Sequence, residues 1–124
     1  MIINILFVGI GGFFGSVIRY MVSLIPIKET TVFPVNTLFI NIMGAFLIGV
    51  FSVFLKDDIL DHRFNLLLRV GLCGGFTTFS TFSFETFSLI ERGYVFTAFL
   101  YVLLSVILGL AAILFAYYLV EQIL

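Results

Sequence analysis

Two stretches of the sequence, residues 30–55 and 93–120, consist mostly of apolar residues and contain no charged side chain. Two further stretches, 1–25 and 64–90, are also mainly apolar and carry only one or two charged residues each. A helix needs about 20 consecutive, mostly apolar residues to cross the hydrocarbon core of a bilayer, and each of the four stretches is long enough. The sequence therefore predicts an all-α integral membrane protein with four transmembrane helices.

The composition agrees with this prediction because it leaves too few polar residues for a water-soluble surface. Hydrophobic residues make up 62% of the 124 residues and charged residues only 10%, whereas soluble domains have about 25% charged residues. A chain this short buries a small fraction of its surface, so the bilayer must be its solvent. We expect one domain over residues 1–124. The formal net charge of −1 gives no indication of a nucleic-acid partner.

The sequence lacks the motifs of several other function classes. Cys73 is the only cysteine, which excludes a disulfide framework and a C-x-x-C metal site. No phosphate-binding loop is present, so transport driven directly by ATP on this chain is excluded, and we expect a protein that is not an enzyme. The apolar N-terminus lacks a basic region and a small-residue cleavage site, which predicts a first transmembrane helix and not a signal peptide.

The positively charged residues bear on the orientation of the helices. Four spans place both termini on the same side of the membrane, and lysine and arginine near span ends favour the cytoplasmic side. Here these residues are divided equally between the two faces. The face of the termini carries Lys56, Arg63 and Arg69, and the opposite face carries Arg19, Lys28 and Arg92. This balance favours insertion in both orientations and an antiparallel dimer, although features outside the count could fix one orientation.

The third apolar stretch has an unusual composition between residues 77 and 88. The sequence there, TTFSTFSFETFS, contains only Ser, Thr, Phe and one Glu. Polar side chains inside a membrane are costly unless they face protein or water. Hydroxyls that hold helices together would explain some of them, but not a run this dense with Phe interleaved throughout. We therefore expect this helix to line a polar pathway.

A break in the third helix is expected at Gly74 to Thr77, where this run begins. Gly74 and Gly75 are followed by the β-branched Thr77 and Thr78, a poor sequence for a continuous helix. A break at membrane depth would free backbone carbonyls, which in transporters often coordinate ions. Close packing of helices is the alternative reason for the glycine pair.

Two phenylalanines in the run suggest how an anion could be accommodated. Phe79 and Phe82 are three residues apart and share a helical face. The edge of an aromatic ring is positive, so it can meet an anion in a dry place, and the hydroxyls of Ser80 and Thr81 are nearby donors. Packing against lipid or protein is the commoner role of such a pair.

Further polar side chains stand among apolar neighbours in the second and fourth helices. Asn41 has Thr37 one turn earlier, and Tyr101 and Ser105 are one turn apart. Each could donate to a passing anion or make a hydrogen bond between helices. Together they form a donor track without a fixed positive charge, which suits conduction because the ion must also be released.

The first helix contributes a charge and two glycines. Arg19 either lies at a positive vestibule that gathers anions or extends its side chain to the membrane surface. Gly11 and Gly15 are spaced to allow close approach of another helix.

On these residues the sequence resembles the Fluc (CrcB) family of fluoride channels along the whole chain. The first helix contributes GGFFGSVIRY at residues 11–20, and the second contributes FINIMGAFLIG at residues 39–49. The third contributes GGFTTFSTFSFE at residues 74–85, which is the most specific of the three motifs.

The resemblance implies a dual-topology antiparallel homodimer with two pores, which exports fluoride passively across the plasma (inner) membrane of a prokaryote as a multi-pass protein among lipids. It implies a third helix broken near its middle, where backbone carbonyls of Gly74 and Thr77 from both subunits hold a structural sodium ion. It also implies that Phe79 and Phe82 line the pores with ring edges. The remaining pore contacts implied are Asn41, Ser80, Thr81, Tyr101 and Ser105, with Arg19 in the vestibule.

One departure and two alternatives accompany the resemblance. Some members have a second serine one turn beyond the position of Ser105, where this sequence has Gly109. A small proton-coupled exporter of cationic drugs also has four helices, but that class requires a carboxylate deep in the first helix, and none is present. Glu85, the carboxylate well inside a span, could be a proton site or be paired near the helix end. A non-conducting membrane scaffold is the second alternative.

Overall fold

The computed structural model describes residues 1–26, 32–56 and 59–124, and every regular element in these ranges is helical. The α-helices are α1 Ile2–Ser23, α2 Val35–Lys56, α3 His62–Asn65, α4 Gly74–Phe76, α5 Phe79–Glu91 and α6 Val95–Ile123. A π-helix, Leu66–Cys73, connects α3 to α4 without a gap. These three elements form one helical unit over residues 62–76, called the 62–76 segment below. The prediction of an all-α protein is confirmed for the described residues.

Within the described ranges, three helices are long and apolar enough to cross a membrane, namely α1, α2 and α6. The predicted third crossing, 64–90, is occupied by the 62–76 segment followed by α5, each shorter than a full span. The chain is thus a multi-pass membrane protein by its helices. The predicted start of the second helix at residue 30 and the charge of Lys28 lie outside the described residues.

Glycines bring α1 unusually close to the 62–76 segment. A Cβ atom added at Gly11 would lie 2.1 Å from the Leu67 carbonyl oxygen, and one at Gly15 would lie 2.2 Å from the Leu72 carbonyl oxygen. No side chain fits at such distances, so the two backbones are in direct contact. The predicted close approach at these glycines is confirmed, and its partner is the π-helix.

The helices α2, α5 and α6 pack around a small buried core. Leu89 of α5 contacts Ala98 and Tyr101 of α6, and all three are almost completely buried. The chain turns from α5 into α6 at Gly93, whose φ of 90° is in the left-handed region that favours glycine. After this turn α6 runs back along α5, and the predicted polar run on α5 lies beside α2 and α6.

Candidate functional site

The helical backbone is interrupted between α4 and α5. Thr77 has φ −78° and ψ 157°, and Thr78 has φ −145° and ψ 115°, so both residues are extended. The β-branched side chains favour this conformation. Thr78 then caps α5, because its hydroxyl accepts a hydrogen bond from the Thr81 N–H at 3.1 Å. The predicted break covers residues 74–77, and the extended pair begins at the last of them, Thr77.

Asn41 of α2 binds the interruption through both ends of its side-chain amide. The Thr78 N–H donates to Asn41 Oδ1 at 2.8 Å, and Asn41 Nδ2 donates to the Thr78 carbonyl at 3.2 Å. This reciprocal pair fixes the orientation of the amide, since the N–H needs an oxygen and the carbonyl needs a donor. Asn41 therefore makes the hydrogen bond between elements that was one of its two predicted roles.

Two side chains bind carbonyls at the end of the 62–76 segment. Arg19 is partly buried, and its Nε donates to the Gly75 carbonyl at 3.1 Å. A cation is favourable at a helix C-terminus because the helix dipole is negative there. The Thr77 hydroxyl donates to the Cys73 carbonyl at 2.9 Å. Arg19 thus lies against the interruption and does not extend away from the protein.

An open cavity of about 320 Å³ lies between the interruption, α2 and α6. It is lined by uncharged residues only, namely Asn41, Ala45, Ile48, Thr77, Thr78, Phe79, Phe82, Ser105 and Val106. The structure therefore brings together five predicted site residues from three separate parts of the chain: Asn41, Thr77, Phe79, Phe82 and Ser105. Such a cavity combines a few polar groups with apolar walls, as ligand sites commonly do.

The Ser105 hydroxyl is the polar group in this cavity whose hydrogen-bonding capacity the described residues leave unused. Its oxygen is buried and has no hydrogen-bond partner among the residues that the structure describes. A buried hydroxyl without a partner costs free energy. A ligand that accepts a hydrogen bond from Ser105 would remove this cost.

Besides Arg19, four other predicted residues lie outside the lining of the cavity. Ser80 is exposed, with its hydroxyl 3.3 Å from that of Thr78. Thr81 contacts the same hydroxyl through its backbone N–H. Tyr101 is completely buried. Gly74 is exposed, and a Cβ atom added there would meet only the Arg69 carbonyl oxygen, at 3.9 Å.

Aromatic rings connect the cavity to Tyr101. The ring centres of Phe79 and Phe82 are 6.0 Å apart, and those of Phe82 and Tyr101 are 5.0 Å apart with planes inclined by 54°. Phe79 is 80% exposed in the single chain, so its ring is free to face a partner or a pathway. The three rings form a continuous aromatic path along α5 and α6.

At the far end of this path lies a polar cluster whose arrangement the sequence did not predict. Glu85 Oε1 accepts a hydrogen bond from the Thr37 hydroxyl at 2.7 Å, and Oε2 accepts one from the Tyr101 hydroxyl at 2.9 Å. The cluster joins α2, α5 and α6. Glu85 is thus paired, which was one of its two predicted roles. Its partners are hydroxyl groups, and it lies in the middle of α5 and not near the helix end. The one sequence feature that pointed to such a cluster is the position of a carboxylate inside a span, where it requires hydrogen-bond donors.

Comparison with known proteins places the chain among membrane channels. The family described as CrcB-like protein, Camphor Resistance (CrcB), matches residues 6–117. The chain is 42% identical over 123 residues to the "Fluoride-specific ion channel FluC" of Azobacteroides pseudotrichonymphae, covering 98% of each chain. It is 47% identical over 111 residues to the protein of that name from Chlorobaculum tepidum, covering 89% of this chain and 88% of the relative. For the protein from Methanocaldococcus jannaschii the identity is 39% over 108 residues, covering 86% of each.

Proposed function

The chain belongs to the CrcB family, a family of ion channels, and on that premise we propose that it is a fluoride-specific channel. The proposal takes the ion from the names of its relatives. The observation that carries it is the uncharged cavity, in which Asn41, Phe79, Phe82 and Ser105 come together at the helix interruption. Fluoride is small and accepts hydrogen bonds strongly, and this cavity is lined by hydrogen-bond donors and aromatic rings.

The chemistry of the cavity suits an ion that must bind and leave. Conduction requires binding strong enough to admit the ion and weak enough to release it. The Ser105 hydroxyl and the second N–H of the Asn41 amide can donate to fluoride, and the positive edges of Phe79 and Phe82 can replace part of its water shell. A lysine or arginine in the same place would hold the anion more tightly.

We further propose that the functional unit is an antiparallel homodimer with two pores and dual topology. The balanced distribution of lysine and arginine supports this arrangement. So does the large aromatic surface that α5 leaves uncovered, since Phe79, Phe84 and Phe87 are 80%, 69% and 57% exposed in the single chain. A second copy that packs on α5 would cover these rings and complete the pore walls. In this arrangement the 62–76 segment and α5 together form the third crossing, broken at the interruption.

A structural sodium ion at the interruption is part of the proposal. The helix ends at Phe76, and the last carbonyls of a helix lack partners in the same helix. Oxygen ligands of this kind fit a hard cation, and Gly74 has open space beside it. The carbonyls of Gly74 and Thr77 would hold the ion together with those of the second copy. When bound, sodium would neutralise the negative ends of these carbonyl dipoles.

The expected place of action is the plasma membrane of a prokaryote, where the channel would let fluoride leave the cell passively. Fluoride enters cells as neutral HF and is trapped as the anion, so a passive anion pathway lowers its concentration inside.

A flux assay tests the proposal directly. The purified dimer is reconstituted into liposomes loaded with potassium fluoride, and a fluoride electrode records efflux after valinomycin allows potassium to follow. We expect rapid fluoride efflux and no chloride efflux from matched chloride-loaded liposomes. If an intact dimer releases fluoride no faster than protein-free liposomes, the proposed function is wrong. Uptake of a cationic drug driven by a proton gradient would instead support an exporter.

A further inference from the structure

Two backbone N–H groups at the interruption are diverted from the carbonyls that would receive them in a continuous helix. An α-helix pairs each N–H with the carbonyl four residues earlier, so Thr78 would donate to Gly74, and Thr81 would donate to Thr77. The Thr78 N–H donates instead to Asn41 Oδ1 at 2.8 Å. The Thr81 N–H donates to the Thr78 hydroxyl at 3.1 Å. The carbonyls of Gly74 and Thr77 thereby lose their regular helical donors.

The carbonyls on either side of Gly74, by contrast, receive hydrogen bonds within the chain. The Cys73 carbonyl accepts from the N–H and from the hydroxyl of Thr77, at 3.0 and 2.9 Å. The Gly75 carbonyl accepts from Arg19 Nε at 3.1 Å. A backbone polar group inside a membrane needs a partner. The loss of the helical donor at Gly74, between two satisfied neighbours, therefore points to a ligand that takes the place of that donor.

We propose that Asn41 and the Thr78 hydroxyl are positioning groups for the sodium site, because they take the two N–H donors that would compete with the cation for the Gly74 and Thr77 carbonyls. A donor hydrogen carries a partial positive charge, so it repels a cation that approaches the same oxygen. This inference rests on the proposed function, which assigns sodium to these carbonyls. It adds a role to Asn41, whose amide also lines the cavity and joins α2 to the interruption.

The test measures how strongly sodium stabilises the purified full-length dimer as sodium replaces N-methylglucamine at constant ionic strength. A ligand that binds only the folded dimer raises its melting temperature as the ligand concentration rises. Thr78→Val removes the hydroxyl and keeps the β-branched shape, whereas Thr78→Ser keeps the hydroxyl. We expect Thr78→Val to need about tenfold more sodium for the same stabilisation, which corresponds to about 1.4 kcal/mol. Thr78→Ser should behave like the wild type.

Asn41→Leu provides a second variant, because leucine is of similar size and cannot accept the Thr78 N–H. We expect a comparable loss of sodium affinity. The matched control is Thr86→Val, since the Thr86 hydroxyl donates only within α5, to the Phe82 carbonyl at 2.8 Å, and it should leave the sodium dependence unchanged. If Thr78→Val or Asn41→Leu gives an unstable dimer at low sodium, high sodium should restore it, because the site is weakened and not removed.

The outcomes separate this inference from the proposal on which it rests. A folded dimer of Thr78→Val or Asn41→Leu with the sodium dependence of the wild type would overturn the role given to that side chain. Instability that no sodium concentration restores would overturn it too, since it would report a general folding defect. A wild-type dimer whose stability does not depend on sodium would overturn the sodium site itself.

Discussion

The hydroxyl of Tyr101 donates a hydrogen bond to Glu85 Oε2 at 2.9 Å, and this contact links α6 to α5 at the edge of the buried core. The second carboxylate oxygen accepts from the Thr37 hydroxyl of α2 at 2.7 Å. One carboxylate therefore connects three helices. Because the ring of Tyr101 also contacts Phe82, the same residue joins the polar cluster to the aromatic path.

Tyr101→Phe is expected to destabilise the protein while leaving the ring contact in place. The variant removes only the hydroxyl, so Glu85 loses one of its two donors inside the membrane. The loss of a hydrogen bond to a buried polar group costs about 1 to 3 kcal/mol. The free energy of unfolding, measured by denaturation of the purified dimer at fixed sodium, should fall by this amount.

The matched control is Tyr118→Phe, the same chemical change on a side chain of α6 that is 58% exposed. It should leave the stability within about 0.5 kcal/mol of the wild type, as surface substitutions usually do. Equal stability of Tyr101→Phe and Tyr118→Phe would mean that the bond to Glu85 contributes nothing to the fold.

Gly15→Ala is expected to separate α1 from the π-helix. The added methyl group would lie 2.2 Å from the Leu72 carbonyl oxygen, which belongs to the backbone and cannot rotate away. Overpacking typically costs about 1 to 3 kcal/mol, and a backbone clash belongs at the upper end. The yield and melting temperature of the dimer should both fall.

Gly9→Ala is the control for this change, because a Cβ atom at Gly9 has no neighbouring atom within 4 Å. Alanine is also the better helix former, so the stability should stay equal or rise slightly. A Gly15→Ala dimer as stable as Gly9→Ala would show that α1 and the π-helix are not held at this distance.

The sequence predicted the helices well, because a bilayer requires long apolar stretches and these are visible without any knowledge of tertiary contacts. It also predicted a poor helical sequence near Gly74, from the glycine pair and the following β-branched residues. It did not predict the π-helix Leu66–Cys73, whose backbone follows α1 at Gly11 and Gly15. That geometry depends on the partner helix, which the local sequence does not contain.

The contacts of the candidate site were harder to predict than its residues. The sequence identifies Asn41 as a polar group that needs a partner, but it does not distinguish an ion from the backbone of Thr78 as that partner. The sequence likewise shows that Glu85, a carboxylate inside a span, needs a partner, but it does not distinguish a proton site from a paired group. In both cases the residue type predicts that a hydrogen-bond partner is required. The partner itself is determined by how α2 packs against α5 and the residue that caps it.

Orientation in the membrane provides a prediction about the dimer. Adding two or three lysines to the connection at 91–92 should fix one orientation, and adding them to the N-terminus should fix the other. Each variant alone should lose fluoride efflux, because an antiparallel dimer needs both orientations. Expression of the two together should restore it. Cells sensitive to fluoride, or liposomes made from each preparation, provide the measurement.

Wild-type efflux from one orientation alone would contradict the antiparallel dimer. The control adds the same number of glutamines at the same places, since the length of the connection then changes without a change in charge. That variant should insert in both orientations and conduct.

Substitution of Phe79 and Phe82, the two phenylalanines at the cavity, is the test that best distinguishes a channel from a scaffold. Isoleucine is apolar and of roughly comparable size, but it has no ring with a positive edge. Phe79→Ile and Phe82→Ile should therefore still form dimers, since apolar swaps of similar volume usually cost less than about 1.5 kcal/mol. Fluoride efflux should nevertheless fall about tenfold or more in each, as an interaction worth about 1.4 kcal/mol implies.

The control for these variants is Phe115→Ile on α6, where the ring packs near Phe46 at a centre distance of 6.4 Å and does not line the cavity. It should conduct like the wild type. Size-exclusion chromatography must first show an intact dimer for each variant, so that lost efflux reports on the pathway. Because the three substitutions remove the same ring, wild-type efflux from Phe79→Ile and Phe82→Ile would mean that the ring edges do not contact the ion.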